Sequence, residues 1–156
     1  LAPQSMVDEI THNMSYLDKS ATEVMNEIGV NACTDITGYG LIGHLMEMCK
    51  GSKLSAKIEF NSIPFIKGTF ELAQNGIIPG GTKRNLNFYI QDLSWESYIS
   101  KFQLHMLSDA QTSGGLLMSI PEKKAPQLVQ KLNEAGTLSA AIIGQMYNSN
   151  TNIHIL

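Results

Sequence analysis

Cysteine is scarce in this chain. Cys33 and Cys49 are the only two among 156 residues, and they form no CxxC pair. Two cysteines are too few to staple a domain of this length, so reduced thiols in a cytoplasmic protein are the simplest reading. Long apolar runs are missing too: no stretch approaches the length of a bilayer span, which argues against a membrane protein. Charge is sparse, at 16% of residues, with a net value of −3 and no long basic run. Nothing there favours nucleic acid or an acidic membrane as a partner. Leu1-Ala2-Pro3 lacks the basic and apolar regions of a signal peptide, and the absent initiator Met suggests that the chain starts inside a longer one. Internal repeats and low-complexity linkers are also lacking. What remains is an ordinary globular composition, 43% hydrophobic, fitting one domain over residues 1–156 with a sizeable core.

Hydrophobic spacing organises the chain. Met6, Ile10, Met14, Leu17, Ala21, Val24 and Ile28 recur at steps of three and four, predicting one continuous first helix stopped by Gly29. A glycine-bearing stretch from Val30 to Gly43 runs into a second helix with Leu41, Leu45, Met48 and Cys49 on one face. Leu54 to Phe60 alternates as a strand. Pro64 opens a third helix carrying Ile66, Phe70 and Ala73. Residues 77–87, punctuated by Pro79-Gly80-Gly81, read as an ordered loop, and Phe88 to Lys101 has no clear pattern. Gly114 to Ile120 is a buried strand, and Pro121 opens a fourth helix that Gly136 ends. Ala140 to Tyr147 is a further strand, with Ile153 to Leu156 pairing back on it as a hairpin. The fold class expected is α+β, a two-layer arrangement with a mixed or antiparallel sheet covered by helices.

The densest segment is Thr34-Asp35-Ile36-Thr37-Gly38-Tyr39-Gly40-Leu41-Ile42-Gly43. Gly38 to Gly43 is a literal GxGxxG, followed by a helix, a strand and an acid at Glu59, which together fit a dinucleotide-binding module. Against this, the residues before the loop are not apolar, and Asp35 would repel a pyrophosphate unless a cation lay between them. Mg²⁺ could be that cation, since it takes one or two carboxylates and fills its other positions with water and phosphate oxygens. The plainer alternative is that Asp35 caps the turn and the glycines allow tight packing. A second cluster, Asp109-Ala110-Gln111-Thr112-Ser113-Gly114-Gly115, places polar side chains and backbone donors in a turn directly before a strand. It reads either as an anion-binding nest or as a structural turn in which Asp109 and Ser113 satisfy backbone N–H groups.

Taken in order, ACTDITGYGLIGHL, Ile63-Pro64-Phe65, Glu71-Leu72-Ala73, Gly76-Ile77-Ile78-Pro79-Gly80-Gly81-Thr82, Asn85, DAQTSGGLL and Ala141-Ile142-Ile143-Gly144 closely resemble the selenophosphate synthetases (selenide, water dikinases). The resemblance runs from about Met14 to Gln145. The wider superfamily holds aminoimidazole ribonucleotide synthetase, thiamine-monophosphate kinase and a hydrogenase maturation factor, but the PGGT…N and QTSGG segments point to the selenophosphate branch. Three positions depart from the family's habit: Ala110 for Pro, Asp18 for Asn and Tyr39 for Phe.

The resemblance implies a C-terminal domain with ferredoxin-like elements, belonging to a two-domain enzyme. That enzyme makes selenophosphate, AMP and phosphate from ATP, selenide and water, with Mg²⁺, as a homodimer. Its catalytic cysteine or selenocysteine, its lysine, its glycine-rich loop and most of its metal-binding aspartates lie in the other domain, so the isolated chain is expected to be inactive. One metal ligand carries over, Asp35. Thr34, Gly38, Gly40, Gln111, Thr112, Ser113 and Gly114 are the expected edge of a phosphate site. His44, beside the glycine loop, is better read as a hydrogen-bonded histidine of a partly buried pocket than as a phosphate contact. His12, His105 and His154 lack ligand spacing. Lys83 and Arg84 suit a solvated loop as well as a phosphate, and the methionines fill apolar helix faces. A pure interaction module is the remaining alternative.

Overall fold

The N-terminal apolar stripe folds as two helices instead of one. In the computed structural model, which describes residues 2–156, α1 (Gln4–Ser15) and α2 (Lys19–Ile28) part at Tyr16, whose backbone is extended at φ −70° and ψ 133°. The Tyr16 hydroxyl donates to the Gly136 carbonyl at 2.9 Å, and this tether to a distant part of the chain holds the break. Gly29 then ends α2 at φ 77°, a conformation glycine adopts without strain.

The glycine-bearing stretch begins with a strand that the sequence reading lacks. β1 (Ala32–Asp35) pairs antiparallel with β4 (Leu116–Ser119), with Ala32 opposite Ser119 and Asp35 opposite Leu116. Polar Cys33, Thr34 and Asp35 disguise it, as is usual in a strand open to solvent on one side. A single turn over Glu122–Lys124 leads into α7 (Ala125–Glu134), with Pro126 in the first turn, where no N–H is needed. Ala21 and Val24 of α2 and Leu128 and Leu132 of α7 close a small core, against which Leu116 and Met118 of β4 pack.

The larger core lies under a four-stranded mixed sheet. Its strands are β2 (Ser55–Ile58), β3 (Leu93–Trp95), β5 (Gly144–Tyr147) and β6 (Ile153–Ile155), in the order β3-β6-β2-β5. The expected terminal hairpin is absent: β5 runs antiparallel to β2 on one side, while β6 runs parallel to β2 and β3 on the other. Burial explains the choice, because Ile153 and Ile155 are both fully buried and each such side chain contributes roughly 1.5–3 kcal/mol when removed from water. A central position satisfies that demand and an edge position does not. Ser55 secures the approach, donating to Asn152 Oδ1 at 2.7 Å and accepting from the Asn152 N–H at 3.2 Å.

Helices α3 (Gly40–Ser52), α4 (Thr69–Gln74), α5 (Gly80–Tyr89) and α6 (Lys101–Leu107) pack around this core. Three of them correct the sequence reading. α4 starts five residues after Pro64. The expected loop over residues 77–87 is largely α5, where Thr82, Leu86 and Tyr89, at steps of four and three, are buried. Two glycines at its start mask the helical signal. The unpatterned stretch holds β3 and leads to α6, whose start is fixed by a reciprocal Ser100–Gln103 cap, with the Ser100 N–H donating to Gln103 Oε1 at 2.8 Å. The α+β reading stands, with a mixed sheet and a second, antiparallel one sharing the helices.

Gly144 tests the β2–β5 register. A Cβ there would overlap the Lys57 carbonyl oxygen and sit 2.9 Å from Ile58 Cα. Gly144→Ala should therefore cost about 3 kcal/mol, the upper end for overpacking. Gly51→Ala, with open space around it, should be neutral or stabilising by up to about 1 kcal/mol. Urea denaturation of the two variants reads the difference, and equal midpoints would refute the register.

Candidate functional site

The two polar motifs lie against each other. The loop after β1 and the turn before β4 exchange backbone bonds: Ile36 N–H to Gly115 O, Gly114 N–H to Ile36 O and Gln111 N–H to Thr37 O, each 2.9 Å. Two glycines make the approach possible. A Cβ on Gly40, whose φ is +68°, would lie 2.7 Å from both Asp109 O and the Ser108 carbonyl carbon; one on Gly114 would lie 2.9 Å from Ile36 O. Neither could be accommodated without moving backbone.

Helix α5 clamps the pair. Asn85 donates through Nδ2 to Gly38 O at 2.9 Å and to Ser108 O at 3.1 Å, so one side chain holds both loops. Thr82, almost fully buried, donates its hydroxyl to Asp109 Oδ1. Asp109 thus accepts from a side chain, not from the backbone N–H groups expected of a turn cap. Gln111 completes the turn, donating from Nε2 to Asp109 O at 3.2 Å. Ala110 is exposed and leaves this bonding intact.

The residues expected at a phosphate edge are accordingly distributed along one seam. Thr34 is half-buried in β1 and donates to Asp35 O at 3.3 Å. Gly38 is exposed, and a side chain there would meet nothing within 4 Å. Ser113 is half-buried and Thr112 exposed. The clamp residues Asn85, Thr82 and Asp109 escaped the site reading, although Thr82 and Asn85 stood in the family pattern. Their spacing of three is the signal that α5 presents both to the loops.

Asp35 ends β1 with its side chain exposed, and among the described residues no hydrogen bond or ion pair engages its carboxylate. The turn-cap reading of Asp35 therefore has no bond to support it. Its charge is felt nearby. Burial first, then Asp35, raises the Asp18 carboxyl above its ordinary value, and burial, Asp35 and Asp18 in that order raise the Cys33 thiol. Both thiols are free; burial alone pushes Cys49 up to about 11.

His44 occupies a partly buried pocket, as expected, with Nε2 3.1 Å from Thr37 Oγ1. A groove of about 320 Å³ runs beside it, between Cys33 and Thr34 of β1 and Glu47 and Met48 of α3.

The dinucleotide reading of Gly38–Gly43 fails on topology. It needs the strands on either side of the glycine loop and helix to be parallel neighbours in one sheet. Here β1 belongs to the two-stranded sheet and β2 to the four-stranded one. Glu59, the supposed ribose ligand, instead accepts from Ser62 Oγ at 3.3 Å in the turn after β2.

Comparison with known proteins agrees with the motif pattern. The chain is 45% identical over 133 residues to the selenide, water dikinase of Caldanaerobacter subterraneus subsp. tengcongensis, covering 85% of this chain and 38% of that protein. It is 40% identical over 146 residues to selenide, water dikinase 2 of Peptoclostridium acidaminophilum, covering 94% and 42%. The chain thus spans about 40% of the length of these relatives. A solved thiamine-monophosphate kinase from Stenotrophomonas maltophilia superposes with a TM-score of 0.47 at 14% identity, over 81% of this chain and 31% of that one. The family described as AIR synthase related protein, C-terminal domain, matches residues 4–155, and the chain belongs to it.

Proposed function

We propose that this chain is the C-terminal domain of a selenide, water dikinase, a two-domain, cytoplasmic, homodimeric phosphotransferase that makes selenophosphate, AMP and phosphate from selenide, ATP and water. The observation that carries the reading is the seam. The TDITGYG loop, the QTSGG turn and the GGT…N helix are far apart in the sequence, yet the first two bond each other through their backbones and Asn85 of the third ties Gly38 to Ser108, just before the turn. The chain's partner is its own N-terminal domain, which supplies the nucleophile and most of the nucleotide site.

Asp35 suits a Mg²⁺ ligand on its surroundings: a carboxylate that is exposed, unpaired and close enough to Asp18 to raise it. Mg²⁺ takes only one or two protein carboxylates and leaves its other positions to water and phosphate oxygens. Among the described residues no three acidic, histidine or cysteine side chains gather as a ready-made metal group, so Asp35 would contribute one ligand to a site completed by the other domain. The ion would neutralise phosphate charge. This chain's part is to hold Asp35 at a fixed position beside the phosphates, with Thr34, Gly38, Gly40, Gln111, Thr112, Ser113 and Gly114 forming the edge.

Three outcomes are expected. The isolated chain, given ATP, selenide and Mg²⁺, should form no AMP, and robust selenide-dependent turnover would defeat the division of labour between domains. In the full-length enzyme, Asp35→Asn should keep the melting temperature but lower AMP formation by roughly two orders of magnitude, as expected for a lost electrostatic group at the phosphates. An unchanged rate at limiting Mg²⁺ would reduce Asp35 to a surface residue. Asn85→Ala, which removes the tie between the loops, should cost about 1–3 kcal/mol of stability from the unpaired carbonyl of buried Ser108 and weaken apparent Mg²⁺ affinity at temperatures where the variant is fully folded. Normal Mg²⁺ dependence in folded Asn85→Ala would show that the seam is scaffold alone.

A further inference from the structure

His44 leaves one polar atom unaccounted for. Its side chain is 9% exposed, and Nε2 faces Thr37 Oγ1. Nδ1 is buried and has no hydrogen-bond partner, although Glu47 Oε2 lies only 3.2 Å away, off the direction a hydrogen bond requires. A buried ring nitrogen without a partner is uncommon and calls for an occupant. The same groove is lined by Cys33 from the facing strand.

We propose that Zn²⁺, or a borderline divalent ion of its class, binds in the groove between β1 and α3, held by His44 Nδ1 and Glu47 Oε2 with the Cys33 thiolate as third donor. The spacing fits. With bonds of about 2.1 Å to each, donors 3.2 Å apart subtend roughly 100° at the metal, close to a tetrahedral angle. The tautomer fits too: with the proton on Nε2 and donated to Thr37 Oγ1, the Nδ1 lone pair is free, and a ligating histidine normally gives its other N–H to such an oxygen. No ready-made set of three donors exists among the described residues, so Cys33, exposed on its strand, joins by turning its side chain, and water fills the fourth position. Imidazole and thiolate select Zn²⁺ over Mg²⁺, which separates this site from Asp35.

Calorimetry of the 156-residue chain with Zn²⁺, and absorption titration with Co²⁺, test this. The expected result is one ion per chain, retained in excess Mg²⁺, with a thiolate-to-cobalt charge-transfer band that Cys33→Ser abolishes. Glu47→Gln, at a mostly exposed carboxylate, keeps the fold and should weaken Zn²⁺ roughly tenfold or more. His44→Gln should weaken it further, with circular dichroism confirming that the variant folds. No stoichiometric Zn²⁺ binding would overturn the proposal, leaving a plain His44–Glu47 ion pair. Binding unchanged in both Glu47→Gln and Cys33→Ser would overturn it by placing the ion elsewhere, and displacement by Mg²⁺ would assign it to Asp35.

Discussion

Gly40 has no side chain, and a Cβ there would run into the backbone of Ser108 and Asp109. That close approach of two polar loops is the constraint around which the domain is arranged. Loops crowded together must find partners for their backbone groups, because an unpaired buried N–H or C=O costs as much as a lost hydrogen bond. Here the loops largely satisfy each other, and Asn85 bonds the carbonyl of buried Ser108 together with that of Gly38. The result is a rigid seam assembled from irregular backbone. Asp35 is fixed where β1 enters that seam, so its position follows from the pairing of β1 with β4.

Helix α3 connects this seam to the rest of the domain. Ile42, Leu45, Met46 and Cys49 go into the large core, while His44 and Glu47 line the groove beside β1. One helix therefore serves two sheets, and the glycine loop that opens it cannot shift without disturbing the core. Gly43 tightens the same joint: a Cβ there would press on Tyr39 and lie 3.0 Å from the Tyr89 ring, so α3 and α5 pack closely because this position is bare. A GxGxxG spacing that suggests a nucleotide is here two packing requirements in succession.

How much of this the sequence discloses depends on how local the cause is. Gly29 as a helix stop and the alternation of Leu54 to Phe60 rest on near neighbours and could be read directly. β1 could not, because its polar residues face solvent and its pairing with β4 spans more than eighty residues. The helix over Gly80–Tyr89 was hidden by Pro79-Gly80-Gly81, whose weak propensity is outweighed by the burial of Leu86 and Tyr89. The parallel placement of Ile153–Ile155 depends on which strand occupies the sheet centre, a global matter. For the site, both loops were visible as motifs. The clamp was not, because the bonds from Thr82 and Asn85 exist only once α5 has docked.

Charge supplies the last step. Burial raises the Asp18 carboxyl above its ordinary value, and the nearby Asp35 carboxylate raises it further. Asp18 is a second acid beside Asp35, so the end of β1 is more negative than Asp35 alone would make it. A polyphosphate approaching such a place is repelled unless cations intervene. On the proposed reading, nucleotide therefore meets this domain only through metal, and the extra carboxylate shifts the balance toward a site that is strongly attractive to Mg²⁺ and strongly repulsive without it. Nucleotide affinity and metal concentration would then be tightly linked here, as a direct consequence of the second charge beside Asp35.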